Sequence, residues 1–198
     1  GQKTGHFLDQ RDNRQRVREM AAGASVLDVF ACTGGFSVYA AAGGARFVQS
    51  VDLNDAAIRT AERNMVHNAN LTGRTTHKVT VGDAFEVLGE LGQAREHFDV
   101  VVVDPPSFAK KRADVGRAVR AYARLTAMAL PLVARGGHLI QASCSSRIDV
   151  DTFTDAVLGQ AQRDDVMVTE VQVTGHAIDH PIGFPEGSYL KAVFARVG

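Results

Sequence analysis

Residues 25–37 read SVLDVFACTGGFS, an apolar segment that runs into a glycine turn. SVLDVF predicts a strand over 25–30, because a short apolar run bounded by a turn is typical of a buried strand. Gly34 and Gly35 let the backbone turn sharply, and an Ala-rich helix is predicted from Phe36 onward. A strand, a tight turn and a helix in this order begin a parallel α/β sheet, so this stretch decides the fold class.

The alternation of strand and helix continues along most of the chain. Further strands are predicted over 45–53, 77–83, 98–104 and 138–143, and helices over 9–23, 54–70, 116–134 and 149–162, with one more through VLGELG. The tail instead holds two strands, VMVTEVQV and YLKAVFARV, with no helix between them. We therefore expect a doubly wound α/β fold whose mostly parallel, seven-stranded sheet ends in an antiparallel hairpin. No repeat or internal boundary divides residues 1–198, so a single domain is predicted.

Composition excludes several classes of protein. Lys+Arg and Asp+Glu number 22 each, and a formal net charge of zero argues against strong sequence-independent attraction to nucleic acid. No apolar run approaches the roughly 20 residues that span a bilayer, so we expect neither a membrane segment nor a membrane partner. Two cysteines are too few for a disulfide framework, which favours a cytoplasmic setting. No metal site is predicted.

Acidic residues follow the second and third strands, where a cofactor would bind. Ligands of open α/β sheets lie outside the carboxyl ends of the strands. Asp52, in VDLND, suits a bidentate hydrogen bond to ribose hydroxyls, whereas Asp55 is interpreted as a helix-start charge. Asp83, in VGDAF, is suited to accept from an adenine amino group, although each acid taken singly is more often a helix cap. Together with the glycine turn they indicate S-adenosylmethionine, and the absence of G-x-G-x-x-G argues against an NAD-dependent dehydrogenase.

The fourth strand ends in DPPSFAK, residues 104–110. The two prolines fix a rigid, extended turn after Asp104. The turn is either a simple strand terminator or a shelf that holds a substrate base. Methyltransferases of exocyclic amines have an aromatic residue directly after the two prolines, but here Ser107 takes that place and Phe108 follows, which weakens an N-methylation reading.

The two cysteines differ in their expected surroundings. If strand four lies between strands one and five, Cys32 and Cys144 are separated by roughly twice the strand spacing of about 4.8 Å. A disulfide requires Cα atoms within about 7 Å, so no bridge is expected, and Cys32 is interpreted as structural. Cys144 would share a crevice with Asp104, which suits nucleophilic attack on C6 of a pyrimidine. A small buried thiol at a strand end explains the same position, and both interpretations stand on the residues alone.

The combination of motifs resembles the bacterial 23S ribosomal RNA cytosine-C5 methyltransferases that carry an N-terminal PUA domain. The resemblance spans essentially the whole chain and rests on these segments in order: KTGHFLDQRDNR, VLDVFACTGGFSVYA, VDLND, VVVDPPSFAK, ASCSS and DHP…PEGSYLK. It implies a class I Rossmann-like methyltransferase fold, S-adenosylmethionine as methyl donor and cytosine in RNA as substrate. By the same resemblance Cys144 is the nucleophile and Asp104 positions the base. The DPP turn carries no cysteine of its own, so a single-cysteine mechanism is implied.

The resemblance also implies the residues around the two ligands. Residues 1–23 would fold over the cofactor. The cofactor set is Phe7, Asp9, Arg11, Asp28, Phe30, Ala31, Cys32, Thr33, Gly34, Gly35, Phe36, Asp52, Leu53, Asn54, Gly82, Asp83, Ala84, Asp104 and Pro105. The substrate set is Pro106, Phe108, Lys110, Lys111 and Arg112, the last three forming a basic run suited to RNA phosphates. His180 with Pro181, and Tyr189 with Lys191, are expected to shape the substrate side.

Two other functions remain as alternatives. Family members have a PUA region and a linker before KTGHFLDQR, so we expect this chain to be the catalytic domain without them. One alternative is N-methylation of RNA or of a small molecule, with Cys144 only structural. The other is a module that binds S-adenosylmethionine but is inactive without an RNA-binding region. The sequence leaves the oligomeric state open and is compatible with a dimer.

Overall fold

The computed structural model describes residues 7–180, 182–183 and 187–198, and within them a seven-stranded sheet with helices on both faces. The strands are β1 (Ser25–Val29), β2 (Phe47–Asp52), β3 (Thr76–Val81), β4 (Phe98–Val103), β5 (Val133–Ser143), β6 (Val168–Thr174) and β7 (Lys191–Val197). The α-helices are α1 (Arg11–Met20), α2 (Gly35–Ala42), α3 (Asp55–His67), α4 (Ala69–Thr72), α5 (Ala84–Gln93), α6 (Val115–Ala129) and α7 (Val150–Arg163). Short 3-10 turns cover Leu8–Gln10, Arg112–Asp114 and Leu130–Leu132.

The strand order is β3-β2-β1-β4-β5-β7-β6. The five strands from β3 to β5 in this order are parallel, and β7 runs antiparallel to both β5 and β6. The predicted mixed, mostly parallel sheet with an antiparallel C-terminal hairpin is confirmed. β4 lies between β1 and β5, which is the order that the argument about the two cysteines assumed.

The central strands are buried on both faces, as their continuous apolar sequence predicts. All five residues of β1 are buried, and so are five of the six in β4. Side chains alternate along a strand, so Leu27 and Val101 pack into the core on one face of the sheet while Val26 and Val100 pack on the other. This two-sided burial fixes the positions of the strand ends, where the motifs lie.

Some element boundaries differ from the predicted ones. The helix predicted over 116–134 ends at Ala129, because Pro131 lacks the N–H that would continue it. β5 therefore begins at Val133, and its register with β4 shifts around Gly136, which has a φ of 78°. None of the helices in the described ranges combines the length and the apolar character needed to cross a bilayer.

Candidate active site

The turn after β1 has a strained backbone and is hydrogen-bonded to the end of β2. Phe30, Cys32 and Gly34 have positive φ angles of 64°, 50° and 77°. The Cys32 N–H donates to Oδ2 of Asp52 at 2.8 Å. A Cβ atom on Gly34 would lie 2.8 Å from the Cβ of Ala61 on α3, so no larger residue fits there without movement. Strain of this kind is retained where the surroundings enforce a backbone shape, and this backbone lies at the predicted cofactor edge.

Asp28, a buried residue of β1, holds this turn through hydrogen bonds to the start of α2. Its Oδ2 accepts from the Ser37 N–H at 3.0 Å and from the Ser37 hydroxyl at 2.6 Å, which ties the start of α2 to β1. Burial raises the pKa of Asp28 to about 6, although the bonds from Ser37 act in the opposite direction. Its Oδ1 is also buried and has no hydrogen-bond partner within the described part of the chain. That oxygen is therefore available to a polar ligand.

Asp52 and Asp83 follow neighbouring strands. Oδ1 of Asp52 accepts from the Asn54 N–H at 2.9 Å. Oδ1 of Asp83 caps α5 by accepting from Phe85 N at 2.9 Å, so the capping role considered from the sequence is present. Each carboxylate has two oxygens and further lone pairs, so capping leaves room for a ligand. Leu53, directly after Asp52, is 70% exposed, and such an apolar surface beside two carboxylates suits a purine nucleoside.

Asp104 lies where the N-terminal segment meets the end of β4. Burial, followed by the charges of Asp28 and Asp9, raises its pKa to about 7, although Gln10 and Arg14 act in the opposite direction. These five residues therefore lie close enough to influence one another, although they come from three separate stretches of sequence. The N-terminal segment contributes three of them and therefore lies against the end of β4.

Unpartnered polar atoms collect around Asp104. Within the described ranges, four buried side-chain nitrogen or oxygen atoms lack a partner, and three of them are Gln10 Nε2, Arg14 Nε and Asp28 Oδ1. Gln10 and Arg14 are each only 3% exposed. Two donors and one acceptor in this arrangement match the carboxylate and ammonium groups of an amino acid, which is one end of S-adenosylmethionine. The residues present therefore fit that cofactor.

The predicted N-terminal residues occupy different environments. Arg11 lies at the surface, where it pairs with Asp12 at 3.0 Å and with Asp179 at 2.5 Å. Phe7 is half exposed, and its carbonyl oxygen accepts from the guanidinium of Arg14 at 2.7 Å. Thus Arg14, which the sequence reading passed over, is the buried arginine of this segment. The helical spacing of Gln10, Asn13, Arg14 and Val17, which are all buried, is the signal that identifies it.

Asp9 joins the N-terminal segment to the tail. Its Oδ2 accepts from the Tyr189 hydroxyl at 2.8 Å, and its carbonyl oxygen accepts from the Ala177 N–H at 3.1 Å. Tyr189 also packs edge-on against His176 and His180, whose rings are stacked with centroids 4.7 Å apart. Of the residues expected to shape the substrate side, Pro181 lies outside the described residues.

Cys144 directly follows β5, and Asp104 directly follows β4, the strand that pairs with β5. Its Sγ lies 3.9 Å from the carbonyl oxygen of Pro105 in the DPP turn. The side chain is half-buried, and burial, followed by the charge of Asp104, raises the pKa of the thiol to about 11. Both Cys144 and Cys32 are free thiols, in agreement with the strand-spacing argument.

The loop around Cys144 is held by buried groups on both sides. The Ser143 hydroxyl donates to the Tyr122 hydroxyl at 2.9 Å, and the Ser145 hydroxyl donates to the Ala109 carbonyl at 3.2 Å. Burial raises the pKa of Tyr122 to about 12, so that this phenol keeps its proton and acts as a fixed polar support. On the tail side the loop contacts Lys191, a buried residue that was expected from the sequence only to shape the substrate side.

The predicted substrate residues lie along the outer side of the DPP turn. Pro106 is exposed, whereas Phe108 is half-buried and packs on Tyr122 with ring centroids 5.1 Å apart. Lys110, Lys111 and Arg112 are all exposed. A surface groove of about 370 Å³ beside this run is lined by Ser107, Phe108, Lys110, Asp114, Arg117, Ala118 and Ala121. Within the residues described, no group of three or more His, Cys, Asp or Glu side chains is arranged to hold a metal ion.

This geometry agrees with what comparison with known proteins finds. A sequence model described as S-adenosylmethionine-dependent methyltransferase matches residues 1–187. The chain belongs to the S-adenosylmethionine-dependent methyltransferase family. The expectations of a methyltransferase fold and of S-adenosylmethionine as cofactor are thereby confirmed.

Relatives of this methyltransferase have names that refer to ribosomal RNA. It is similar to a protein of Deinococcus radiodurans named ribosomal RNA large subunit methyltransferase, with 42% identity over 197 residues. It is also similar to ribosomal RNA large subunit methyltransferase I of Shewanella amazonensis, with 39% identity over 199 residues. Both alignments cover 100% of this chain but only 48% and 50% of the relatives, so the chain spans about half of their length.

Solved structures support the same fold. A methyltransferase complexed with S-adenosylhomocysteine superposes with a TM-score of 0.81 at 26% identity, covering 98% of this methyltransferase and 50% of that chain. An S-adenosylmethionine-dependent methyltransferase from Streptococcus mutans gives a TM-score of 0.80 at 26% identity, covering 100% of this chain and 51% of that one.

Proposed function

We propose that this protein transfers a methyl group from S-adenosylmethionine to C5 of a cytosine in large-subunit ribosomal RNA, through a covalent bond between Cys144 and C6 of the base. The observation that carries the proposal is the position of Cys144 beside the DPP turn, with its Sγ 3.9 Å from the Pro105 carbonyl oxygen. The names of the relatives support ribosomal RNA as the substrate class. We assign residues 1–198 to one catalytic domain.

The cofactor supplies an electrophilic methyl group when it is bound. We assign its amino-acid end to the unpartnered atoms of Gln10, Arg14 and Asp28. Asp52 holds the ribose hydroxyls, and Asp83 accepts from the adenine amino group. The backbone of the strained turn approaches the cofactor closely because Gly34 has no side chain. Residues with these roles surround the carboxyl end of β4 and would hold the cofactor beside Asp104, where it would supply the methyl group.

The reaction needs a nucleophile because C5 of cytosine is a poor one. The Cys144 thiolate adds to C6, and the electron pair of the C5–C6 double bond becomes available at C5. C5 then forms a bond to the methyl group as the bond between that carbon and the cofactor sulfur breaks. A base removes the proton from C5, the C5–C6 double bond re-forms, and the Cys144–C6 bond breaks to return the thiolate.

Asp104 is the group that moves protons around this cycle. The raised pKa of the Cys144 thiol means that it holds its proton at neutral pH, so the proton must leave as the base binds. Asp104 has a pKa of about 7, so it can both accept and release a proton near neutral pH. We assign it to take the thiol proton and to donate to N3 of cytosine, which stabilises the adduct.

The RNA is held from outside this crevice. The exposed run of Lys110, Lys111 and Arg112 follows the DPP turn and suits contact with phosphates. Pro106 is exposed on the same turn and offers a rigid apolar surface to the base. The chain carries no net charge, so long-range electrostatic attraction contributes little to RNA binding. We therefore expect these three basic residues to supply most of the electrostatic contact with RNA.

Transfer of a labelled methyl group tests the proposal directly. The protein is incubated with large-subunit ribosomal RNA and methyl-labelled S-adenosylmethionine, and the labelled nucleoside is identified by mass spectrometry. We expect 5-methylcytidine with the native protein and none with Cys144→Ala, which should still bind the cofactor. Ser146→Ala, an exposed residue of the same loop, is the matched control and should remain active. Label on an exocyclic amine, or full activity of Cys144→Ala, contradicts the proposal.

A further inference from the structure

Lys191 is a buried lysine next to the Cys144 loop. It is the first residue of β7, is only 2% exposed and lies opposite Ser143 in the pairing of β7 with β5. The ion pairs formed within the described part of the chain all involve other residues. A buried ammonium group is costly unless its donors are satisfied, so its partners define its role.

The partners of Lys191 are three backbone carbonyl groups. Its Nζ donates to the carbonyl oxygens of Ser145 and Ile148, and to that of Tyr189 at 3.0 Å. An ammonium group has three donors, so this set uses all of them. Ser145 directly follows Cys144, and Ile148 is two residues before α7. Lys191 therefore closes the loop that carries the thiol and joins it to the tail.

Lys191 and Cys144 influence each other electrostatically. Burial lowers the pKa of Lys191 to about 8, while the neighbouring Cys144 and Asp149 act to raise it. Lys191 in turn acts to lower the pKa of Cys144, although burial and Asp104 outweigh it. At neutral pH the lysine is therefore a cation beside the thiol.

We propose that Lys191 is a positioning residue that holds the Cys144 loop through the carbonyl groups of Ser145 and Ile148 and favours the thiolate form of Cys144 by its positive charge. This inference rests on the proposed function in so far as Cys144 is the nucleophile, but its test measures the thiol and needs neither RNA nor methyl transfer. The other ionisable groups that act on Cys144, or on which it acts, are the carboxyls of Asp104 and Asp9 and the phenols of Tyr122 and Tyr189. Lys191 is the cation among them.

Alkylation of Cys144 as a function of pH tests this role. The native protein and Lys191→Met are treated with iodoacetamide between about pH 6.5 and 9.5, and the rate at each cysteine is followed by peptide mass spectrometry. At pH 7 we expect Cys144 of Lys191→Met to react about tenfold more slowly, the effect of one pKa unit. The difference should fade above about pH 8, where Lys191 loses its own charge.

Two controls separate charge from loss of structure. Cys32 in the same sample should react equally in both proteins. Lys78→Met, which removes an exposed lysine from β3, should leave the Cys144 profile unchanged. A purely structural role of Lys191 predicts a rate change that is independent of pH, and that result, or an unchanged rate in folded Lys191→Met, overturns the proposal.

A second measurement keeps the proposal testable if Lys191→Met does not fold. Asp104→Asn removes the other group that titrates near neutral pH. In that variant the logarithm of the Cys144 alkylation rate should rise with a slope below one near pH 8, because the thiol pKa increases as Lys191 deprotonates. A slope of one throughout this range contradicts the role of Lys191.

Discussion

The turn after β1 and the loop after β5 both lie at the carboxyl edge of the same sheet, but they are held by different means. The first is fixed by its own backbone and by Asp28, Ser37 and Asp52, the last of which is 20 residues from Cys32. The loop after β5 is fixed by Tyr122 and by Lys191, which is 47 residues beyond Cys144 in the sequence. The turn after β1 is therefore held by partners from β1 to α3, whereas the loop after β5 also needs a lysine from the last strand.

The largest effect is expected where the local turn is most crowded. Gly34→Ala places a Cβ 2.8 Å from that of Ala61, whereas Gly23, which also has a positive φ, has no atom within 4 Å of such a Cβ. Both variants carry the left-handed strain of about 1–2 kcal/mol. Gly34→Ala should lose about 1–3 kcal/mol more from overpacking, together with stabilisation by the cofactor.

Thermal unfolding of Gly34→Ala and Gly23→Ala, with and without S-adenosylmethionine, makes this comparison. For a chain of this size each kcal/mol corresponds to roughly 2–4 °C in Tm. Equal Tm values for the two variants would mean that the close approach of the turn to α3 does not govern its conformation.

A smaller effect, limited to ligand affinity, is expected at the end of β2. Asp52→Ala removes the carboxylate assigned to the ribose, and should weaken S-adenosylmethionine binding by about 10- to 100-fold, the value of a hydrogen bond to a charged group. Asp55→Ala is the matched control, since Asp55 is exposed and pairs with Arg59 at the surface. Calorimetric titration of S-adenosylmethionine into both variants and the native protein measures the three affinities. Equal affinities would remove Asp52 from the cofactor site.

The fold could be predicted because it depends on patterns that are local. Continuous apolar strands, glycine turns and the helix-free tail each predict one element, whereas the order of the strands around β1 was assumed and was not predicted from them. The predicted end of α6, residue 134, lies five residues beyond the observed end at Ala129. Pro131 stops the helix, although the apolar run continues past it. The early start of β5 follows from that stop.

The site could be predicted only where its residues belong to a motif. Cys144 and Asp104 directly follow two recognisable strands, β5 and β4, which pair with each other in the sheet. Arg11 was named from the sequence and Arg14 was not considered, because charge alone does not reveal which side of a helix faces the core. Lys191 was expected on the substrate side, but its contact with the Cys144 loop could not be predicted, since its three carbonyl partners come from two separate stretches of sequence.

The central claim is the covalent bond between Cys144 and cytosine, and trapping that bond tests it most directly. RNA containing 5-fluorocytidine cannot lose a proton from C5, so the adduct should accumulate in the presence of S-adenosylmethionine. The account predicts a stable protein–RNA complex whose digestion leaves the modified nucleotide on the peptide that contains Cys144. Attachment to Cys32, or a complex that forms equally well with Cys144→Ala, would contradict it.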